Sequence, residues 1–464
     1  MRRHHLPPCE IEITGLGDKG LGRGEAPDGK PIFIRGAPPG SRVHVRPFKK
    51  KKGTWHARRL HMVRPPPGAV EPPCPLFGLC GGCVLQELPL AAQVQARQTM
   101  ALEQVARTLP LDGVRLHPPR STGRAYGYRN KVELSFGVGR YLSEADHAAG
   151  LPIAGRFLGF HAPGRFDRVV DADHCLLVDD PLNRALKAVR SVALDDGAPP
   201  PWDARAHTGF WRHLRLRHGT RTDQVLVGLY TASPTADEGE WVARVAEALR
   251  ADPEVVGVVW LINDSVADVA RGDVRQTWGV PWLEERLGQV TYRLSLDAFF
   301  QTNTAGAELL YDTIGEALGD GGGHLLDLYC GTGAIGLYLA DRFDRITGIE
   351  EVESAVADAR ANAERNGVVG EWHQARVEAA LDTLPEGARV VVDPPRAGLH
   401  PKVAKRLART SGDTLVYVAC NPASLGRDGA ILAEGGWRLA DVWTVDLFPQ
   451  TGHVELVGRF VREA

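Results

Sequence analysis

Leu325-Leu326-Asp327-Leu328-Tyr329-Cys330-Gly331-Thr332-Gly333-Ala334 reads as an apolar strand that runs into a glycine turn and then into a helix. Glycines at such a turn let the backbone approach a ligand closely at the carboxyl end of the strand. Gly331, Gly333 and Gly336 complete a Gly-x-Gly-x-x-Gly run, which dinucleotide enzymes also carry, so the glycines alone do not select a ligand. A carboxylate follows at Glu350, at the tip of the next apolar run, where it can accept from both hydroxyls of a ribose. Working outward, residues 345–350, 389–393 and 414–420 repeat the strand pattern, with helical periodicity between them. That alternation predicts an α/β fold with a doubly wound parallel sheet over residues 289–464. Two more strand-like runs, 438–448 and 453–460, read as an antiparallel hairpin at the sheet edge.

The rest of the chain divides in two. Residues 10–14, 31–34 and 42–46 alternate polar and apolar between Gly/Pro turns, the pattern of a small OB-like β-barrel in a domain spanning 1–66. Pro65-Pro66-Pro67-Gly68 is a natural linker. Residues 67–288 mix strand-like runs with helical stretches at 88–109 and 240–251, which predicts a mixed α+β central domain. A chain of 464 residues is long enough for three such cores. No run reaches the ~18–20 apolar residues that span a bilayer, and the Arg/His/Pro-rich start lacks the apolar stretch of a signal peptide. The expectation is a cytoplasmic protein with no membrane contact and no obligate protein partner.

The net charge of −2 conceals an asymmetry. Residues 29–70 hold eleven Lys or Arg and no Asp or Glu, with Lys49, Lys50, Lys51 and Lys52 consecutive. A solvated tail is the plain reading of such a block. Phe33, Phe48 and Trp55 are interleaved with it, however, and a basic β module bearing aromatics suits a nucleic acid.

The seven cysteines are too many and too scattered to ignore, and their odd number argues against a disulfide framework. Cys74-x5-Cys80-x2-Cys83, with Cys175 further on, supplies four thiolates. They suit structural zinc or an iron–sulfur cluster, and spacing does not decide between these. It is not the Cys-x3-Cys-x2-Cys run of radical enzymes. Cys420 ends the apolar run Thr414-Leu415-Val416-Tyr417-Val418-Ala419 and precedes Asn421-Pro422. It can be a small core residue, or a nucleophile whose thiolate is helped by a helix N-terminus near Ala423 and Ser424. Glu455 lies in the apolar stretch after Gln450-Thr451-Gly452-His453-Val454. Burial there should raise its pKa, as a general base requires, unless an arginine pairs with it.

These segments together resemble the RNA 5-methyluridine methyltransferase family. The matching stretches are Asp297-Ala298-Phe299-Phe300-Gln301-Thr302-Asn303, Asp327 to Gly333, Asp393-Pro394-Pro395-Arg396, Tyr417 to Asp428 and His453-Val454-Glu455. In order and spacing they cover the C-terminal third of the chain. The resemblance implies a class I, Rossmann-like methyltransferase domain in which Gln301, Tyr329, Glu350 and Asp393 bind S-adenosylmethionine. It makes Cys420 the nucleophile and Glu455 the base of a uracil C5 methylation that proceeds through a covalent cysteine–uracil adduct. Ala334 departs from members that carry Asn there against the cofactor. Members with this cysteine spacing hold a [4Fe–4S] cluster, which implies Cys74, Cys80, Cys83 and Cys175 as its ligands. The N-terminal segment looks like the family's TRAM module, and Tyr128, Arg129, Asn130 and residues 210–217 match segments expected to face RNA. Such members act mostly on 23S ribosomal RNA, which is the expected substrate. The alternatives are transfer RNA, or an RNA-binding protein of this fold without turnover. An amino-methyltransferase using Asp393-Pro394-Pro395 fits less well, because Arg396 stands where those enzymes have an aromatic residue.

Overall fold

The structure is a computed structural model that describes residues 6–235, 237–380 and 387–462; the first five residues of the Arg/His/Pro-rich start lie outside the described residues. The N-terminal strands form one six-stranded sheet in the spatial order Cys9–Glu12, Arg42–Lys51, Thr54–Arg64, Pro31–Arg35, Gly22–Glu25, Gly15–Leu16. The sheet curls, and the Thr14 N–H donates to the Arg23 carbonyl at 2.9 Å, joining the exit of the first strand to a strand across the sheet. Its interior is Ile11, Ile13, Ile32, Ile34, Val43, Val45 and Trp55. Each fully buried side chain of this kind contributes about 1.5–3 kcal/mol. Trp55 is therefore core rather than a stacking platform: its indole N–H donates to Asp28 at 3.1 Å, and Lys50 lies 4.5 Å from the ring centre. Phe33 is half-buried, which leaves Phe48 as the exposed aromatic of the basic block.

The middle region builds a seven-stranded sheet in the order Val169–Asp171, Ala154–His161, Lys131–Gly139, Trp211–Gly219, Gln224–Thr231, Val255–Ile262, Asp273–Gly279. Helices Asp180–Ala193 and Glu238–Arg250 bury Leu182, Leu186, Val242 and Leu249 against it. Trp211–Gly219 is the central strand and is buried along its whole length. This corrects the expectation that residues 210–217 face RNA. Arg215 donates to Glu133 and the Ala270 carbonyl and pairs with Asp297, while Arg217 donates to the carbonyls of Ser295 and Ala298. Tyr128 and Asn130 are buried as well.

The C-terminal sheet confirms the doubly wound reading. Its spatial order is Glu371–Gln374, Arg345–Glu350, His324–Leu328, Arg389–Val392, Thr414–Ala419, Glu455–Arg462, Trp437–Asp446. The first five are parallel, and the last two add antiparallel. The hairpin is not left as an open edge. Arg115–Leu116 and Arg120–Ser121 pair with its outer strand and occupy backbone groups that would otherwise invite another chain. Helix Leu90–Ala106 joins the same core, with Met100, Ala101 and Val105 packed among Leu425, Leu432 and Phe460. Residues 282–295 form a separate hairpin whose turn lies at 288–289.

Candidate active site

The strand order reverses about His324–Leu328, and the crevice at the carboxyl ends beside this point is where open α/β sheets bind ligands. Tyr329 leaves that strand with φ of 63°, a left-handed conformation that is strained for a bulky residue and recurs at functional sites. Gly331 and Gly333 follow with φ of 56° and 76°, where glycine carries no such strain. The turn is cross-braced: the Gly331 and Val352 amides donate to the two oxygens of Glu350 at 3.1 and 2.9 Å. Asp327, fully buried, accepts from the Gly336 amide at 2.9 Å, and its other oxygen has no partner. Burial, with the charges of Asp393 and Glu350 adding to it, pushes its carboxyl up to about 7. Burial likewise pushes Asp393, at the next strand end, up to about 7. Gln301 is buried, and Asn130 donates to its carbonyl at 3.2 Å. Asn303 caps helix Thr304–Leu318 by accepting from the Gly306 amide and donates to the Leu447 carbonyl at 2.8 Å.

Cys420 and Glu455 come together through strand direction. Thr414–Ala419 and Glu455–Arg462 are antiparallel and Ala419 opposes Leu456, so one step further the register brings Cys420 opposite Glu455. Opposed side chains on neighbouring strands have Cβ atoms roughly 5 Å apart. Glu455 is buried, and that burial, with Asp393 nearby, raises its carboxyl well above the usual range, while Arg396 opposes the shift. The Cys420 thiol is pushed up to about 11, first by burial and then by Glu455 and Asp393; Arg396 pulls the other way. The helix after the cysteine starts at Pro422, capped by Asn421, whose side-chain amide also donates to the Arg396 carbonyl at 3.0 Å. With the thiol pushed up to about 11, burial is the largest influence on it.

Cys74, Cys80, Cys83 and Cys175 line one cavity of about 380 Å³, together with Phe299, Phe300 and Thr302 from the segment that carries Gln301. Burial raises the Cys80 and Cys175 thiols and lifts Cys83 to about 12. The Gly82 amide points at the Cys80 sulfur from 3.4 Å, and Asn183 holds Cys175 through two hydrogen bonds. Among the described residues, no group of three or more His, Cys, Asp or Glu side chains is disposed to hold a metal ion.

Two features had no signal in the sequence. Gln93 and Arg97 lie four apart on helix Leu90–Ala106 and are buried against the connection that leads to Glu455. Gly20, at the end of the turn Asp18–Gly20 between two N-terminal strands, packs backbone to backbone on Gly452, where an added Cβ would come within 2.6 Å of a Cα. A buried arginine on an otherwise ordinary helix reads as a solvated residue, and a Gly–Gly contact across 432 positions has no local pattern at all.

Residues 282–463 match the tRNA (Uracil-5-)-methyltransferase family. An uncharacterized RNA methyltransferase of Chlorobaculum tepidum is 36% identical over 98% of this chain and 96% of its own. The tRNA (uracil(54)-C(5))-methyltransferase of Pyrococcus abyssi is 30% identical over 93% of this chain and 96% of its own. The crystal structure of that organism's tRNA (uracil-54, C5)-methyltransferase with S-adenosyl-L-homocysteine superposes with a TM-score of 0.75 at 28% identity, covering 98% of this chain and all of the other.

Proposed function

The chain belongs to the RNA (uracil-5-)-methyltransferase family, and on that premise we propose that it methylates 23S ribosomal RNA through a covalent adduct on Cys420. Its activity is methyl transfer to carbon 5 of uracil in RNA, with S-adenosylmethionine supplying the methyl as an electrophilic sulfonium. The observation that supports the residue roles is the pairing of Cys420 and Glu455 at one sheet edge, beside Asp393 and Arg396. Tyr329, Glu350 and Asp393, at strand ends beside the crevice, are proposed with Gln301 as the residues that hold the cofactor. Carbon 5 of uracil is a weak nucleophile. The Cys420 thiolate adds to carbon 6, and the electrons displaced into the ring make carbon 5 nucleophilic enough to take the methyl. Glu455 then removes the carbon-5 proton. The freed electron pair restores the C5–C6 double bond, and the C6–S bond breaks to return the thiolate. The target base leaves its stack to enter the crevice.

The four cysteines are proposed as the ligands of a structural [4Fe–4S] cluster. Four thiols around a cavity suit a cluster of several atoms better than a single zinc ion, which draws its donors to about 2.3 Å. The N-terminal segment 1–66, whose described strands between Cys9 and Arg64 form the curled sheet, is proposed as a TRAM-type RNA grip, followed by a central domain to 288 and the methyltransferase domain to 464. The site of action is proposed as the cytoplasm. Transfer RNA is the second reading, favoured by the relative that acts on tRNA uracil 54.

Mapping 5-methyluridine in 23S rRNA and tRNA from cells with and without the protein decides the substrate. Loss of a 23S position supports the proposal, and loss confined to tRNA overturns it. Cys420→Ala should abolish methylation and leave S-adenosylmethionine binding intact; full activity in that variant would refute the covalent route.

A further inference from the structure

Glu455 begins its strand, and the orientation of its carboxylate depends on the connection from Asp446, at the end of the preceding strand. The connection bonds to itself around Thr451, whose amide and hydroxyl donate to the Phe448 carbonyl and whose hydroxyl accepts from the His453 amide. Residues more than a hundred positions away hold further groups of its backbone. The Leu447 carbonyl accepts from Asn303, the Pro449 carbonyl from the Tyr128 hydroxyl at 2.9 Å, and the Gln450 carbonyl from the Val84 and Leu85 amides. Gln450 sits at φ of 69°, a left-handed conformation for a non-glycine residue, with its amide donating to Gln93 and its side chain accepting from Gln93, both at 2.9 Å.

Arg97 is at the centre of this arrangement. Its guanidinium, 1% exposed, pairs with Asp446 at 2.8 Å and donates through Nη1 to the Phe448 carbonyl at 2.8 Å and the Thr451 carbonyl at 3.1 Å. It therefore ties the start of the connection to its end. A planar fork with several fixed donors can do this, and a point-charge ammonium cannot. Asp446 is itself only 2% exposed, so its charge depends on Arg97 for compensation.

We propose that Arg97 is a positioning residue for the proton-abstraction step, holding the 446–451 connection so that the Glu455 carboxylate faces the methylated carbon. The proposal rests on the reading of Glu455 as the base. It also means that helix Leu90–Ala106, although far from the methyltransferase strands in sequence, is part of the working site. The step it serves is the last one: Glu455 takes the carbon-5 proton, the C5–H electrons form the C5–C6 double bond, and the C6–S bond electrons return to Cys420.

The test is to measure, at steady state, the fraction of RNA held in a denaturation-resistant adduct, alongside kcat, KM and the pH profile. Arg97→Lys should lower kcat at least tenfold, leave KM for S-adenosylmethionine within about twofold, and raise the trapped fraction severalfold. The double variant Arg97→Met with Asp446→Leu removes the buried charges together and keeps the packing, so it guards against misfolding of the single variant; it should trap adduct likewise. Activity that falls only in proportion to folded protein, with no rise in adduct and an unchanged pH profile in both variants, overturns the proposal. Glu455→Gln run in parallel separates the two ideas. Adduct in Glu455→Gln but not in the Arg97 variants refutes the positioning role alone, whereas no adduct in Glu455→Gln refutes the base on which it rests.

Discussion

Burial raises the Cys420 thiol from an ordinary 9.0 to about 11, and that shift sets how the resting enzyme reacts with a small electrophile. Two pKa units are a factor of about 100 in thiolate population. At pH 7.5 roughly one molecule in 3,000 carries the thiolate, against roughly one in 30 for an unperturbed thiol. Alkylation by iodoacetamide, followed by mass spectrometry on the peptide containing Cys420, should therefore run about 100-fold slower than at an exposed cysteine near neutral pH. Its rate should rise about tenfold per pH unit toward a midpoint of about 11. Glu455→Gln removes the second cause of the shift and should lower the midpoint, while Arg396→Met removes the opposing cation and should raise it. A midpoint at or below 8.5 in the wild type, or no response to either substitution, would refute the argument. The same reasoning requires the thiol to lose its proton only in the loaded site, so RNA adduct formation should titrate at lower pH than alkylation.

Glu455→Gln should add the methyl yet fail to release product, leaving a protein–RNA adduct that survives denaturation on a gel; normal turnover there would remove Glu455 from the mechanism. Asp327 has its folded-state pKa raised to about 7, so the folded protein holds that proton more tightly than the unfolded chain, and its contribution to stability is lost as pH rises from about 4 to about 7. Asp327→Asn should accordingly gain on the wild type by up to about 3 kcal/mol between pH 5 and pH 8 in urea unfolding, and a constant difference would contradict the burial argument. Deleting residues 1–64 should flatten the salt dependence of RNA binding, whose slope is about 0.7 per neutralised phosphate on single strands. Because Gly20 packs on Gly452, the same deletion should also slow the chemical step, and an unchanged single-turnover rate would reduce that contact to packing. Anaerobically purified protein should be brown, with about four iron and four sulfide per chain, and Cys80→Ser should lose both; colourless protein with one zinc would replace the cluster assignment.

The catalytic sheet was legible because its strands are long and apolar, and each ends at a chemically marked residue. Leu325 to Leu328 leads to Tyr329, Arg389–Val392 to Asp393 and Thr414–Ala419 to Cys420, and a parallel sheet necessarily collects such ends on one edge. The antiparallel hairpin could be read from two adjacent apolar runs, and its direction brings the first residue of the last strand, Glu455, to that same edge. Arginines were read less well. Arg215, Arg217 and Arg97 carry charge, and charge in a sequence is read as surface unless a partner is visible; their partners are carbonyls and carboxylates contributed by other segments. Trp55 misled for the converse reason, since an aromatic between lysines fits a stacking surface until Asp28 is seen accepting its N–H.

By itself, then, the sequence determined what is periodic and local: strand and helix identity, the glycine turn after Leu328, the order of the chemically marked strand ends and the count of thiols. Tertiary structure alone decided which distant groups share a space. It brought Gln93 and Arg97 onto the Asp446–Glu455 connection, Gly20 onto Gly452, and Cys175 into one cavity with Cys74, Cys80 and Cys83. The physical reason is that hydrogen-bonding periodicity is written within a few residues. The burial of a charge, and the pKa that follows from it, depend on every segment packed around it.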